Sequence, residues 1–124
     1  MNQPLARSIL IVEDCMPDLM LAVARLSFDG YELLLAERGD WAVQVALENR
    51  ASLALIVMDL MLPGKTGIQA IREIREFLPA VPIMVLTAYP EMTRGPAMEA
   101  GATAFMDKAD IAGAMRKACE LLGG

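Results

Sequence analysis

Leu53 to Met58 reads LALIVM, six consecutive apolar residues stopped by Asp59. Ser8 to Val12 (SILIV) ends in the same way at Glu13–Asp14, and Val81 to Leu86 (VPIMVL) ends at Thr87. A strand with one wet face alternates apolar and polar residues, whereas a run that is apolar throughout is buried on both faces. Tyr31 to Ala36 and Ala102 to Met106 supply two further short strands. Pro82 suits the start of its strand better than the middle, because proline brings no N–H to a ladder.

Helical stretches separate these runs. Pro17 and Asp18 open a first helix carrying Leu19, Val23 and Leu26 after one another at helical spacing, and Asp29–Gly30 forms the turn beyond it. Gly39–Asp40 caps a second helix that reaches Arg50, and Thr66 caps a third with Ile68, Ile71 and Arg75 on one face. Leu62-Pro63-Gly64 is a turn, Ala97 to Ala100 is helical, and Asp110 to Leu122 is a closing helix with the stripe Ile111, Met115, Cys119, Leu122. Strands buried on both faces and alternating with helices imply a parallel sheet covered on each side. The expected fold is therefore α/β, a single doubly wound five-stranded parallel sheet flanked by five helices. With 124 residues the chain suffices for one domain and not for two, so residues 1–124 are read as one unit with its core at about 7–122.

Composition narrows the chemistry. The net charge is −5 and no stretch concentrates Lys and Arg, which argues against nucleic-acid binding, since that depends on neutralising phosphates. No apolar run is long enough to cross a bilayer, and the N-terminus lacks a signal-peptide cleavage site, so a cytoplasmic location without membrane attachment is expected. Cys15 and Cys119 fit no metal spacing, and histidine is absent. Catalysis by Ser–His–Asp or Cys–His and His-ligated zinc are thereby removed. Chemistry here must run on carboxylates, hydroxyls and lysine.

In a doubly wound sheet, functional groups gather beyond the carboxyl ends of the strands. The residues that end the apolar runs are Glu13 and Asp14, Asp59, Thr87 and Ala88, and Lys108. Three clustered carboxylates repel one another, and a hard divalent cation such as Mg²⁺ resolves that repulsion. Lys108 adds a second positive charge, and the Thr87 hydroxyl and Ala88 N–H are donors for an anion. Nucleophile, metal, cation and donors together make a site for placing phosphate on a carboxylate.

The segments ILIVED, VMDLMLPGKTG, VLTA and GATAFMDKA, in that order and spacing, resemble the receiver domains of two-component response regulators, over roughly Arg7 to Leu122. The resemblance implies a flavodoxin-like, CheY-like fold. It implies that Asp59 is the phosphoacceptor, that Asp14 ligates Mg²⁺ directly with Glu13 as companion acid, and that the Met61 backbone carbonyl is a further ligand. Thr87, Ala88 and Lys108 match the residues that hold the phosphoryl group. Phe105 matches an aromatic whose rotamer follows the movement of Thr87. The phosphoryl donor would be a histidine kinase, a histidine phosphotransfer protein or a small phosphodonor. Such a domain is a signalling phosphoacceptor rather than an enzyme, promoting only its own phosphorylation and dephosphorylation. A stand-alone receiver is expected, with output through contact with a downstream target protein, unless the chain is a fragment of a longer regulator; an apolar face on the last helices permits a homodimer without requiring one.

Three features depart from the family pattern. Ala109 stands where a proline joined by a cis bond usually follows the lysine, which predicts a trans linkage and a slightly displaced Lys108. Gly95–Pro96 lies where the fourth helix begins and predicts that this helix is short and mobile. Met61 and Tyr89 occupy the variable positions beside the acceptor, where a bulky, non-acidic pair is expected to hinder the attacking water. The first two features support an alternative function, a phosphate-independent pseudo-receiver used for binding or dimerisation. A haloacid-dehalogenase-like hydrolase is disfavoured, because the second Asp that it needs two residues past the nucleophile is here Met61.

Overall fold

The computed structural model describes residues 7–15, 17 and 31–123. The first predicted helix therefore falls outside the described residues except for Pro17, which is helical, and the Asp29–Gly30 turn falls outside them too. Five strands form one parallel sheet: β1 (Arg7–Val12), β2 (Tyr31–Ala36), β3 (Leu53–Met58), β4 (Ile83–Thr87) and β5 (Ala104–Asp107). Their order is β2-β1-β3-β4-β5, so the direction of winding reverses between β1 and β3. Four helices are described: α1 (Gly39–Glu48), α2 (Gly67–Phe77), α3 (Pro90–Ala100) and α4 (Ile111–Leu121).

The continuous apolar runs are buried on both faces. Leu10, Val12, Ile56, Met58, Ile83 and Val85 face one layer, packed against Ala42 and Ala46 of α1, Ile71 and Ile74 of α2, and Ala97 of α3. Their neighbours Ile9, Ile11, Leu55, Val57, Met84 and Leu86 face the other layer, against Ala114 and Ala118 of α4. Edge strand β2 is the exception, with Leu35 half exposed. β4 starts at Ile83 rather than Val81; Pro82 has no N–H for the ladder and contributes only its carbonyl, which accepts from Ile56 N–H at 3.0 Å.

Four local expectations need correction. α1 begins with Arg38 at its N-cap and no side-chain cap; Asp40 instead lies in the first turn, where the Arg38 guanidinium 3.0 Å away holds its carboxyl below the usual range. α1 also ends at Glu48, short of Arg50. The buried line of α4 runs through Gly113, Ala114 and Ala118, with Ile111, Met115, Cys119 and Leu122 only partly buried, because small residues let the helix lie close on the sheet. α3 is neither short nor delayed: it runs 11 residues from Pro90 at its first turn straight through Pro96. The carbonyl that Pro96 leaves without a donor belongs to Met92, on an exposed stretch where water can satisfy it, while buried Ala97 and Ala100 hold the rest of the helix to the core.

The cap reading at Thr66 stands, whereas the closing helix starts at Ile111 rather than Asp110. Thr66 caps α2, accepting from Gln69 N–H at 3.2 Å while the Gln69 side chain accepts from Thr66 N–H at 3.0 Å. Asp110 caps α4 by accepting from Gly113 N–H at 2.9 Å.

At the amino end of the sheet, the Arg75 guanidinium ties four segments together. It donates to the carbonyls of Gly101 (2.8 Å), Leu78 (2.9 Å) and Val81 (2.6 Å) and to Thr103 Oγ1 (3.2 Å). Thr103 Oγ1 in turn accepts from Ile83 N–H at 3.0 Å. Arg75→Ala removes the guanidinium bridging these groups and is expected to destabilise the fold by about 2–3 kcal/mol in urea unfolding. Arg75→Lys should recover only part of that loss, because a single ammonium cannot reproduce the planar fork.

Candidate functional site

The carboxyl ends of β1, β3, β4 and β5 come together at the switch point between β1 and β3, the place where a doubly wound sheet opens a crevice. Each functional residue is still tied into the sheet by its backbone. Glu13 N–H donates to Ala36 O, Asp59 N–H to Val12 O, both at 3.0 Å, and Lys108 N–H to Thr87 O at 2.9 Å. Among the described residues the buried polar side chains are Ser8, Glu13, Asp59 and Thr87, so three of the four lie at this one end of the sheet. Burying polar groups is costly unless they are paired, which marks this edge as built for something other than packing.

The pairing is specific. Lys108 Nζ lies 2.6 Å from Glu13 Oε1 and 3.3 Å from Asp59 Oδ2. Asp59 Oδ1 accepts from Leu60 N–H at 2.7 Å and, more weakly, from Met61 N–H at 3.4 Å. Glu13 Oε2 accepts from Cys15 N–H at 3.2 Å. Oxygens of Glu13, Asp14 and Asp59 all lie within 4.8 Å of one another, with Asp14 exposed and the other two buried. Burial, together with the neighbouring Asp59 carboxylate, pushes the Glu13 carboxyl up to about 7, despite the opposing pull of Lys108.

The β3–α2 loop is shaped by two glycines. Gly64 adopts φ +78 in the turn, beside the Arg38–Asp40 pair, and Gly39 N–H donates to Pro63 O at 3.1 Å. A Cβ on Gly67 would stand 2.4 Å from the Asp59 carbonyl, so only glycine lets α2 start this close to the strand end.

All of the residues singled out in the sequence lie at this edge or flank it. Thr87 is fully buried, and its Oγ1 accepts from Tyr89 N–H at 3.3 Å; Ala88 follows in an exposed turn. Met61 and Tyr89 are 61% and 60% exposed, leaving large apolar side chains at the rim rather than in the core. Phe105 is buried in the helix-bearing layer that contains Val85 and Ala97, with the Arg94 guanidinium 5.7 Å over its ring. No described peptide bond is cis, so Lys108–Ala109 is trans as expected, and the lysine reaches both carboxylates. Arg94 and Asp107 went unread in the sequence. Arg94 carried no signal there, whereas Asp107 carried one, an Asp opening a turn directly before the lysine.

A family model for the response regulator receiver domain matches residues 9–120. The chain belongs to the response regulator receiver domains. Over 109 residues, this receiver domain is 38% identical to the transcriptional regulatory protein ResD of Bacillus subtilis, a match that covers 87% of the chain and 44% of ResD. It therefore spans less than half the length of that relative. The receiver domain of a Pseudomonas aeruginosa sensor histidine kinase, solved with a magnesium ion coordinated in its active-site cleft, is 31% identical with a TM-score of 0.79, covering 97% of this chain and 100% of that one. The BeF3-activated receiver domain of RstA from Klebsiella pneumoniae is 29% identical with a TM-score of 0.82, covering 94% and 98%. Among the described residues, no helix is long and apolar enough to cross a membrane.

The donor set of this receiver domain, three carboxylates converging on one point, suits a hard divalent cation. The raised Glu13 carboxyl has a consequence for the metal-free protein. The folded state holds that proton more tightly than the unfolded chain, so the associated stability is complete below about pH 4.5 and is lost as pH rises through about 7. Urea midpoints measured in EDTA should therefore carry a Glu13-dependent fall across that window, and Glu13→Gln should flatten it.

Proposed function

We propose that this receiver domain accepts a phosphoryl group on Asp59, from a histidine kinase, a histidine phosphotransfer protein or a small phosphodonor, and signals through protein–protein contacts. The observation that carries the reading is the Lys108 ammonium bridging Glu13 and Asp59 at the switch point. Asp59 is buried yet held with one oxygen on main-chain N–H groups and the other on a cation that can change partners.

In this reading an Asp59 carboxylate oxygen attacks phosphorus, the new O–P bond forming as the bond to the donor breaks. The donor's leaving atom departs with the electron pair. Lys108 shifts from Asp59 to a phosphoryl oxygen. The Thr87 hydroxyl, now accepting from Tyr89 N–H, turns to donate to a second oxygen, and the Ala88 N–H serves the phosphoryl group as well. Glu13, Asp14, Asp59 and the Met61 carbonyl would hold Mg²⁺, which supplies positive charge to offset the charge on the transferring group. Phe105 would follow Thr87 and carry the change to α3.

The phosphate-independent alternative rested on a displaced lysine and a broken fourth helix. Lys108 lies within hydrogen-bonding distance of Asp59, and α3 is continuous, so neither feature favours that alternative.

Incubation with Mg²⁺ and acetyl phosphate should add one phosphoryl group to the intact mass. Asp59→Asn, or removal of the metal, should abolish the addition. Absence of both the adduct and metal binding in the parent would reject the phosphoacceptor reading. In this reading the exposed Met61 and Tyr89 side chains hinder water from reaching the phosphorylated aspartate. Following adduct decay after donor removal, Met61→Ala together with Tyr89→Ala should shorten the half-life several-fold.

A further inference from the structure

Family members usually carry a proline after the site lysine, whereas this chain carries Ala109, which has an N–H that proline lacks. That N–H is used. Ala109 N–H donates to Asp107 Oδ1 at 2.9 Å, and Asp110 N–H donates to Asp107 O at 2.9 Å. Asp107 to Asp110 is therefore a β-turn with Lys108 and Ala109 as its central residues. An aspartate in first position closes such a turn with its own carboxylate, the arrangement that makes Asp and Asn favoured there. A proline in the third position of an ordinary turn is disfavoured, so the alanine and the aspartate belong to one solution.

The turn has no slack at either end. Asp107 is the last residue of β5, in register with Thr87, and Asp110 is already the N-cap of α4. Lys108 is also fastened by its own N–H to the Thr87 carbonyl. The direction in which the Lys108 side chain leaves the backbone is thus set by a two-residue loop closed from below by Asp107. From there its ammonium reaches Glu13 and Asp59.

We propose that Asp107 is a positioning residue for the phosphorylation chemistry: its carboxylate, acting as a hydrogen-bond acceptor for Ala109 N–H, holds the turn that aims Lys108 at Asp59. This rests on the reading of Lys108 as the cation that serves the phosphoryl group. The charge of Asp107 is incidental and its acceptor oxygen is what matters, so asparagine should substitute and alanine should not.

Two measurements on the parent, Asp107→Ala and Asp107→Asn test this: the rate of phosphorylation by acetyl phosphate with Mg²⁺, followed by intact mass, and hydrogen exchange of the Ala109 amide, followed by NMR. Asp107→Ala is expected to slow phosphorylation about fivefold, the equivalent of one lost hydrogen bond. The Ala109 amide in that variant should exchange about tenfold faster. Asp107→Asn should restore both to the parent values. An Asp107→Ala protein that matches the parent overturns the proposal, as does an Asp107→Asn protein as impaired as Asp107→Ala, which would assign the effect to charge. A parent that neither takes a phosphoryl group nor binds Mg²⁺ rejects the phosphoacceptor reading instead, and wherever the parent takes none, Ala109 exchange decides the turn by itself.

Discussion

Three carboxylates brought together at the carboxyl end of one sheet repel one another, and the contact that makes their convergence tolerable in this structure is the Lys108 ammonium lodged between Glu13 and Asp59. Much of the surrounding architecture serves that arrangement. Glu13 and Asp59 are held by main-chain hydrogen bonds to neighbouring strands, and Lys108 is carried on a closed turn between β5 and α4. Burial, with the neighbouring Asp59 carboxylate, raises the Glu13 carboxyl to about 7 against the opposing pull of Lys108. A site left with this residual repulsion is primed for a divalent cation.

Rigidity is distributed unevenly around the sheet. The amino end is locked by Arg75, whose guanidinium joins α2, the start of β4, the end of α3 and the approach to β5. The carboxyl end carries exchangeable contacts: an ammonium shared between two acids, a hydroxyl bonded to Tyr89 N–H, and an aromatic ring beneath an exposed arginine. A fixed base with adjustable contacts above it suits a domain whose chemistry must change the position of a side chain without disturbing its core.

At Ala109 the chain departs from the family's usual proline and uses the N–H that proline lacks. A turn opened by Asp107 delivers Lys108 to the same pair of acids with an ordinary trans linkage. The continuous α3 makes a similar point. Pro96 removes one helical hydrogen bond on the exposed side, while Ala97 and Ala100 keep the inner side packed. In both places the expectation of disturbance came from propensity alone, and tertiary packing or a side-chain hydrogen bond outweighed it.

The sequence by itself determined the class of fold and which polar residues would gather at one edge of the sheet. Runs such as LALIVM are apolar on both alternating sets of positions, and no arrangement but a sheet covered on both sides buries them; the polar residues that end those runs are then confined to one edge. Thr66 was legible as a cap because capping chemistry is local. The tertiary structure alone decided what depends on distance across the chain. Lys108 meets Asp59 over a separation of 49 residues, the order β2-β1-β3-β4-β5 puts Glu13 beside Asp59, and Arg94 finds the ring of Phe105. Pattern and propensity record what each segment prefers, but such contacts follow from how all of the segments pack together, and no single stretch of sequence carries that information.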